Sequence, residues 1–120
     1  MTKSYRLDCP VARTLDIVGE KWTLLILRDL LLKGALRFHE LETSLTGLPP
    51  STLSARLKVL EQAAIVEIRQ YDDHPPRFEY VLTQKGRELG PVLQSLRAWG
   101  RRHTNPKAGE DGVAGSPELG

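Results

Sequence analysis

The chain of 120 residues has little sulfur and few aromatic rings: one cysteine, one methionine, two tryptophans, two phenylalanines and three tyrosines. The single cysteine, Cys9, excludes an intramolecular disulfide and the usual multi-cysteine metal site. No apolar run exceeds four residues, as at Leu24–Leu27, far short of the ~20 that span a bilayer. The opening MTKSYRLDCP lacks the apolar stretch of a signal peptide. These absences describe a soluble protein of the reducing cytoplasm, with no membrane partner. No glycine loop is arranged to cradle phosphates, and His39, His74 and His103 show no ligand spacing with one another or with Cys9. No metal, cofactor or catalytic constellation is predicted, and the chain reads as a non-enzyme.

What is present is an ordinary globular balance, 40% apolar and 27% charged residues, in a chain long enough for one core. The net charge of +2 is unevenly spread. Residues 103–120 hold one lysine and three acids, whereas residues 1–102 hold 16 basic and 12 acidic groups. That basic excess suits a phosphate-binding surface.

The stretch Arg37–Gln62, RFHELETSLTGLPPSTLSARLKVLEQ, organises the rest. Phe38, Leu41 and Leu45 recur at helical spacing and predict a helix over Phe38–Leu45. Leu53, Leu57 and Leu60 predict a second over about Ser51–Gln62. Thr46-Gly47-Leu48-Pro49-Pro50 between them cannot continue a helix, because each proline lacks the amide donor. A short helix, a turn and a second helix with small polar and basic residues outward is a helix-turn-helix.

Around it, Pro10–Val18 predicts a first helix with proline at its start, stopped at Gly19. Trp22–Leu32 is apolar nearly all round and predicts a buried strut ending at Lys33-Gly34. Ile65–Tyr71 and Arg77–Thr83 predict a β-hairpin joined by a five-residue loop, Asp72–Pro76. A hairpin in this place is the wing of a winged helix. Thr83 is placed to cap a last helix, Gln84–Arg102, which Pro91 should kink or split. The fold is therefore mainly α with a β-hairpin wing. It is one domain over residues 9–102, flanked by a flexible N-terminus (1–8) and a disordered glycine- and proline-rich tail (103–120).

Ser51, Ser54, Ala55 and Lys58 fall opposite the leucine face of the second helix, with Thr52 and Arg56 on its flanks. Small residues let a helix N-terminus enter a major groove. Serine and threonine hydroxyls reach base edges or phosphates, and Arg56 and Lys58 supply charge. The alternative is a merely solvated face. Arg69 and Arg77 flank the wing loop and are placed for the minor groove, or for cross-strand pairs with Glu67 or Glu79. Asp72 and Asp73 would repel phosphate there. Arg37 suits a phosphate contact or a salt bridge to Glu40. Cys9, at the start of the first helix and near Arg13, sits where a thiolate is favoured and would react with oxidants, quinones or aldehydes. The alternative is a small packed residue.

In CPVARTLDIVGEKWTLLILRDLL, RFHELETSLTGLPPSTLSARLKVLE and PPRFEYVLTQKGREL the sequence resembles the HxlR family of bacterial winged-helix regulators. The resemblance covers roughly the first 102 residues. It implies a homodimer built mainly from the first and last helices, reading a near-palindromic double-stranded DNA operator, with repression the expected outcome. It places Ser51, Thr52, Ser54, Ala55, Arg56 and Lys58 on the recognition helix, Arg77 on the wing, and Cys9 where some members sense electrophiles or oxidants. The other reading is control by a small-molecule ligand or protein partner, with Cys9 purely structural. Two positions depart from the family pattern: Pro49 replaces a capping serine, and Ala64 replaces a glycine.

Overall fold

The computed structural model describes residues 8–106. The expected disordered tail beyond Pro106, and all but Asp8 of the expected flexible N-terminus, lie outside them. The elements are α1 (Pro10–Val18), α2 (Lys21–Lys33), α3 (Phe38–Ser44), α4 (Pro50–Gln62), β1 (Val66–Asp73), β2 (Pro76–Leu82), α5 (Gln84–Arg87) and α6 (Gly90–His103).

Helix α2 is the strut. Glu20 caps it by accepting from Thr23 N–H at 3.0 Å, and Gly34 closes it at φ +83°. It contacts α1, α3, α4, α6 and β2. Ile26, Leu27 and Leu30 are buried in it, whereas Leu24, Leu25, Leu31 and Leu32 are half-buried, so the helix is covered less completely than its composition predicts. The core joins these side chains to Leu41 and Leu45, to Leu53, Leu57 and Leu60, and to Val66, Leu82 and Leu93. Removing any one of these large aliphatic side chains would cost about 2–5 kcal/mol.

Helix α3 ends at Ser44, one residue early, and Leu45 closes it with N–H to Leu41 O. A buried carboxylate fixes its direction. Asp29 of α2 is 2% exposed. One of its oxygens takes the hydroxyl of Ser44 and the other the guanidinium of its neighbour Arg28.

The wing corrects the expected five-residue loop. Asp72 pairs with Arg77 and Asp73 with Pro76, so β1 and β2 run to the tip and only His74-Pro75 connects them, through a cis peptide. Aspartate and proline read as turn chemistry. Pro76, however, is the first residue of its strand, where a missing donor is tolerated. Leu36 adds a one-residue third strand, exchanging both backbone hydrogen bonds with Tyr80. The chain beyond Thr83 is split at Pro91, as its sequence predicts. Pro91 opens α6 within its first turn, and α6 runs to His103.

Candidate nucleic-acid interface

Helix α4 turns Leu53, Leu57 and Leu60 inward at 2% exposure or less. The same 3.6-residue period leaves Ser51, Ser54, Ala55 and Lys58 exposed, with Thr52 and Arg56 half-buried. The N-terminus has no side-chain cap, because Pro49 occupies the capping position. Thr52 and Leu53 N–H both return to Pro49 O at 3.0 Å, and Pro50 has no N–H. Ser51 N–H is therefore the remaining donor of the first turn, in the place where helix N-termini attract phosphate. Arg56 Nε is buried without a hydrogen-bond partner among the described residues.

The far end of α4 is fixed by a cluster of carbonyls. Ala64 turns the chain into β1 at φ +62°. The hydroxyl of Thr83 donates to Ala64 O at 2.6 Å and also accepts Gly86 N–H at 3.0 Å, while Lys85 Nζ donates to Ala63 O at 2.7 Å. A Cβ on Gly86 would fall 2.3 Å from Ile65 O, so only glycine lets α5 approach this turn. The end of the wing thus holds the end of α4. Thr83 was legible as a helix cap; its second role was not, because it depends on a contact 19 residues away.

The arginines named in the sequence are held differently from one another. Arg69 lies directly opposite Glu79 and binds it at 2.7 Å, the cross-strand alternative, so its charge is shared along the sheet. Arg77 is exposed at the hairpin tip, opposite Asp72. Arg37 precedes α3. Glu40 accepts its backbone N–H at 2.8 Å and its Nη2 at 3.1 Å. Hydrogen bonds from Arg37 hold the Glu40 carboxyl below the usual range. Glu40 first, and then Tyr71, push the Arg37 guanidinium further up. Tyr71 has no signal in the sequence. It is the unpaired residue of a bulge between Gln70 and Asp72, and its hydroxyl accepts from Arg37 Nη1 at 3.3 Å.

Cys9 lies apart from these residues, at the N-cap of α1, half-buried, with Sγ accepting Ala12 N–H at 3.4 Å. Arg13 turns to Asp8 at 2.9 Å. No helix among the described residues is long and apolar enough to cross a membrane.

A helix-turn-helix of α3 and α4 followed by the β1–β2 hairpin defines a winged-helix DNA-binding transcriptional regulator. The chain belongs to the HxlR-like helix-turn-helix family, whose model matches residues 17–108. It is 40% identical over 92 residues to the uncharacterized HTH-type transcriptional regulator sll1512 of Synechocystis sp., covering 77% of this chain and 67% of the relative. It is 43% identical over 90 residues to the uncharacterized regulator Rv3095 of Mycobacterium tuberculosis, covering 75% of this chain but only 56% of that one. Among solved structures it is similar to the redox regulator HypR in its reduced form, with a TM-score of 0.72 and 33% identity over 78% of this chain and 92% of that chain.

Proposed function

We propose that the chain binds a near-palindromic double-stranded DNA operator as a homodimer and represses a nearby gene. The observation that carries this reading is the outer face of α4. Ser51, Ser54, Ala55 and Lys58 are exposed together, Thr52 and Arg56 flank them, and the first turn is uncapped. In this reading α4 enters the major groove, Arg77 reaches the backbone from the wing, and Arg37 meets a phosphate at the start of α3. Arg69, paired with Glu79 but exposed, would exchange that partner for a phosphate to make its contact. Residues 9–102 form the DNA-binding domain, and the protein works in the cytoplasm as a regulator with no catalytic activity.

Dimerisation is supported by exposed apolar side chains on the two terminal helices: Val11 and Leu15 on α1, and Val92, Leu96 and Trp99 on α6. The effector is an electrophile or oxidant acting at Cys9. Its thiol is the N-cap of α1, so modification removes an acceptor and adds bulk at the end of a helix of that face. A small shift there would separate two recognition helices that must meet half-sites about one helical turn apart.

The test is enrichment of bound fragments from a genomic DNA pool, followed by anisotropy titrations over a salt series, with and without a quinone. An inverted repeat should be enriched, and its affinity should fall steeply with salt. Arg56→Ala and Lys58→Ala should each weaken binding, with the salt slope shallower by about 1 wherever a phosphate contact is lost. Quinone should release DNA from the parent but not from Cys9→Ser. Unchanged affinity in both α4 variants would point to a winged helix that binds protein instead. Equal release from Cys9→Ser would remove the thiol from the mechanism.

A further inference from the structure

Arg37 belongs to the helix-turn-helix, and Tyr71 belongs to the wing. The ladder pairs Gln70 with Phe78 and Asp72 with Arg77, which leaves Tyr71 unpaired. A bulge breaks the in-out alternation and re-aims the side chain of its extra residue. Here the side chain reaches α3. Its hydroxyl takes Arg37 Nη1 at 3.3 Å, and the guanidinium carbon lies 5.9 Å from the ring centroid, within cation–π range.

A guanidinium has five N–H donors. Glu40 takes one through Nη2 and Tyr71 takes one through Nη1, which leaves three, including Nε–H. The Arg37 side chain is 48% exposed, so donors remain for a group outside the protein. The two holders differ in kind. Glu40 fixes the guanidinium but offsets its charge, whereas the Tyr71 hydroxyl fixes it as a neutral group and leaves the charge for an outside anion. In helix-turn-helix docking the first helix crosses the DNA backbone, and α3 carries Arg37 at its start.

We propose that Tyr71 is a positioning residue for DNA binding. It holds Arg37 with its remaining donors available to a backbone phosphate, and so seats the wing and the helix-turn-helix on the duplex as one body. The proposal rests on the DNA-binding reading above. A preorganised arginine loses less freedom on binding than a mobile one, so the clasp strengthens the contact without touching DNA.

The experiment is a double-mutant cycle on a labelled duplex carrying the enriched inverted repeat, with a shuffled duplex as control. Arg37→Ala, Tyr71→Phe, Tyr71→Ala and the Arg37→Ala/Tyr71→Ala double variant are titrated over a salt series, and each is melted to verify folding. Arg37→Ala should make the salt slope shallower by about 1. Tyr71→Ala should weaken binding about three- to tenfold and reduce the slope in the same direction, with Tyr71→Phe between it and the parent. In the Arg37→Ala background Tyr71→Ala should cost less than about twofold, because the residue it positions is gone. Parent-like binding by Tyr71→Ala would overturn the proposal. So would an equal loss with and without Arg37, which would make Tyr71 a DNA contact or a brace for the wing alone. Those two results leave the DNA-binding reading standing. A parent that does not distinguish the repeat from the shuffled duplex removes both.

Discussion

Ala64 is the residue at which sequence and backbone disagree most. It turns α4 into β1 at φ +62°, in the left-handed region where a Cβ costs roughly 1–2 kcal/mol. The turn survives because its surroundings hold it: Ile65 N–H returns to Leu60 O at 2.9 Å, and Thr83 gathers the carbonyls of Ala64 and Ile65. Glycine here would remove the strain at some cost in unfolded-chain entropy. Ala64→Gly should therefore stabilise the protein by about 0.5–1 kcal/mol, read as a higher denaturant midpoint at unchanged slope. A lower midpoint would mean that the methyl group contributes packing worth more than the strain. Glu40 is the other residue with a checkable property. Hydrogen bonds from Arg37 hold its carboxyl below the ordinary value of 4.5. Its contribution to stability is therefore complete above that ordinary value and disappears as pH falls through the lower, folded one. The difference in denaturation midpoint between the parent and Glu40→Gln should be constant from neutral pH down to about 5 and close below the ordinary glutamate value. A difference that widened on acidification would contradict the assigned pairing.

Among the elements, α3 shows how a short helix is aimed. Seven residues cannot hold a helix by propensity alone, so its direction comes from contacts at both ends. Glu40 closes the first turn on Arg37, and Ser44 at the last residue donates to buried Asp29 of α2. Ser44→Ala would leave one oxygen of a carboxylate that is 2% exposed without its donor, and should destabilise by about 1–3 kcal/mol in denaturant titrations. Thr43→Ala, whose exposed hydroxyl only returns to His39 O, should stay within about 0.5 kcal/mol of the parent. Equal effects would deny Asp29 its anchoring role. Helices of this kind were legible in the sequence because leucine spacing and capping residues are local signals, and α1 and the break at Pro91 fall where those signals place them. The strand ends were not. Asp72, Asp73 and Pro76 carry turn chemistry, yet backbone pairing carried the ladder past them. The exposed face of α4 followed from period alone. The clasp of Arg37 by Tyr71 did not, since a bulge leaves no periodic trace and the partners lie 34 residues apart.

At the scale of the molecule, α1 and α6 both pack on α2 and leave their remaining apolar side chains in solvent. Val11 is 68% exposed, Leu96 52% and Trp99 60%, with Leu15 and Val92 near half. These terminal helices carry large apolar groups that the monomer does not bury, whereas the α4 face carries small and charged ones. The contrast separates a surface that should meet a second copy from one that should meet DNA. A charge placed among the apolar groups tests that division directly. Leu96→Glu and Trp99→Glu should each convert a sedimenting dimer to a monomer that stays folded, since neither side chain belongs to the buried core of the single chain, with thermal stability lowered only by the loss of the association. With the two recognition helices unlinked, affinity for the full inverted repeat should fall by about 10²-fold or more, while affinity for an isolated half-site changes little. A monomeric parent, or glutamate variants that remain dimeric and bind the full repeat normally, would place the second copy elsewhere. It would also leave Cys9 on α1 without the helix pair through which it is proposed to act.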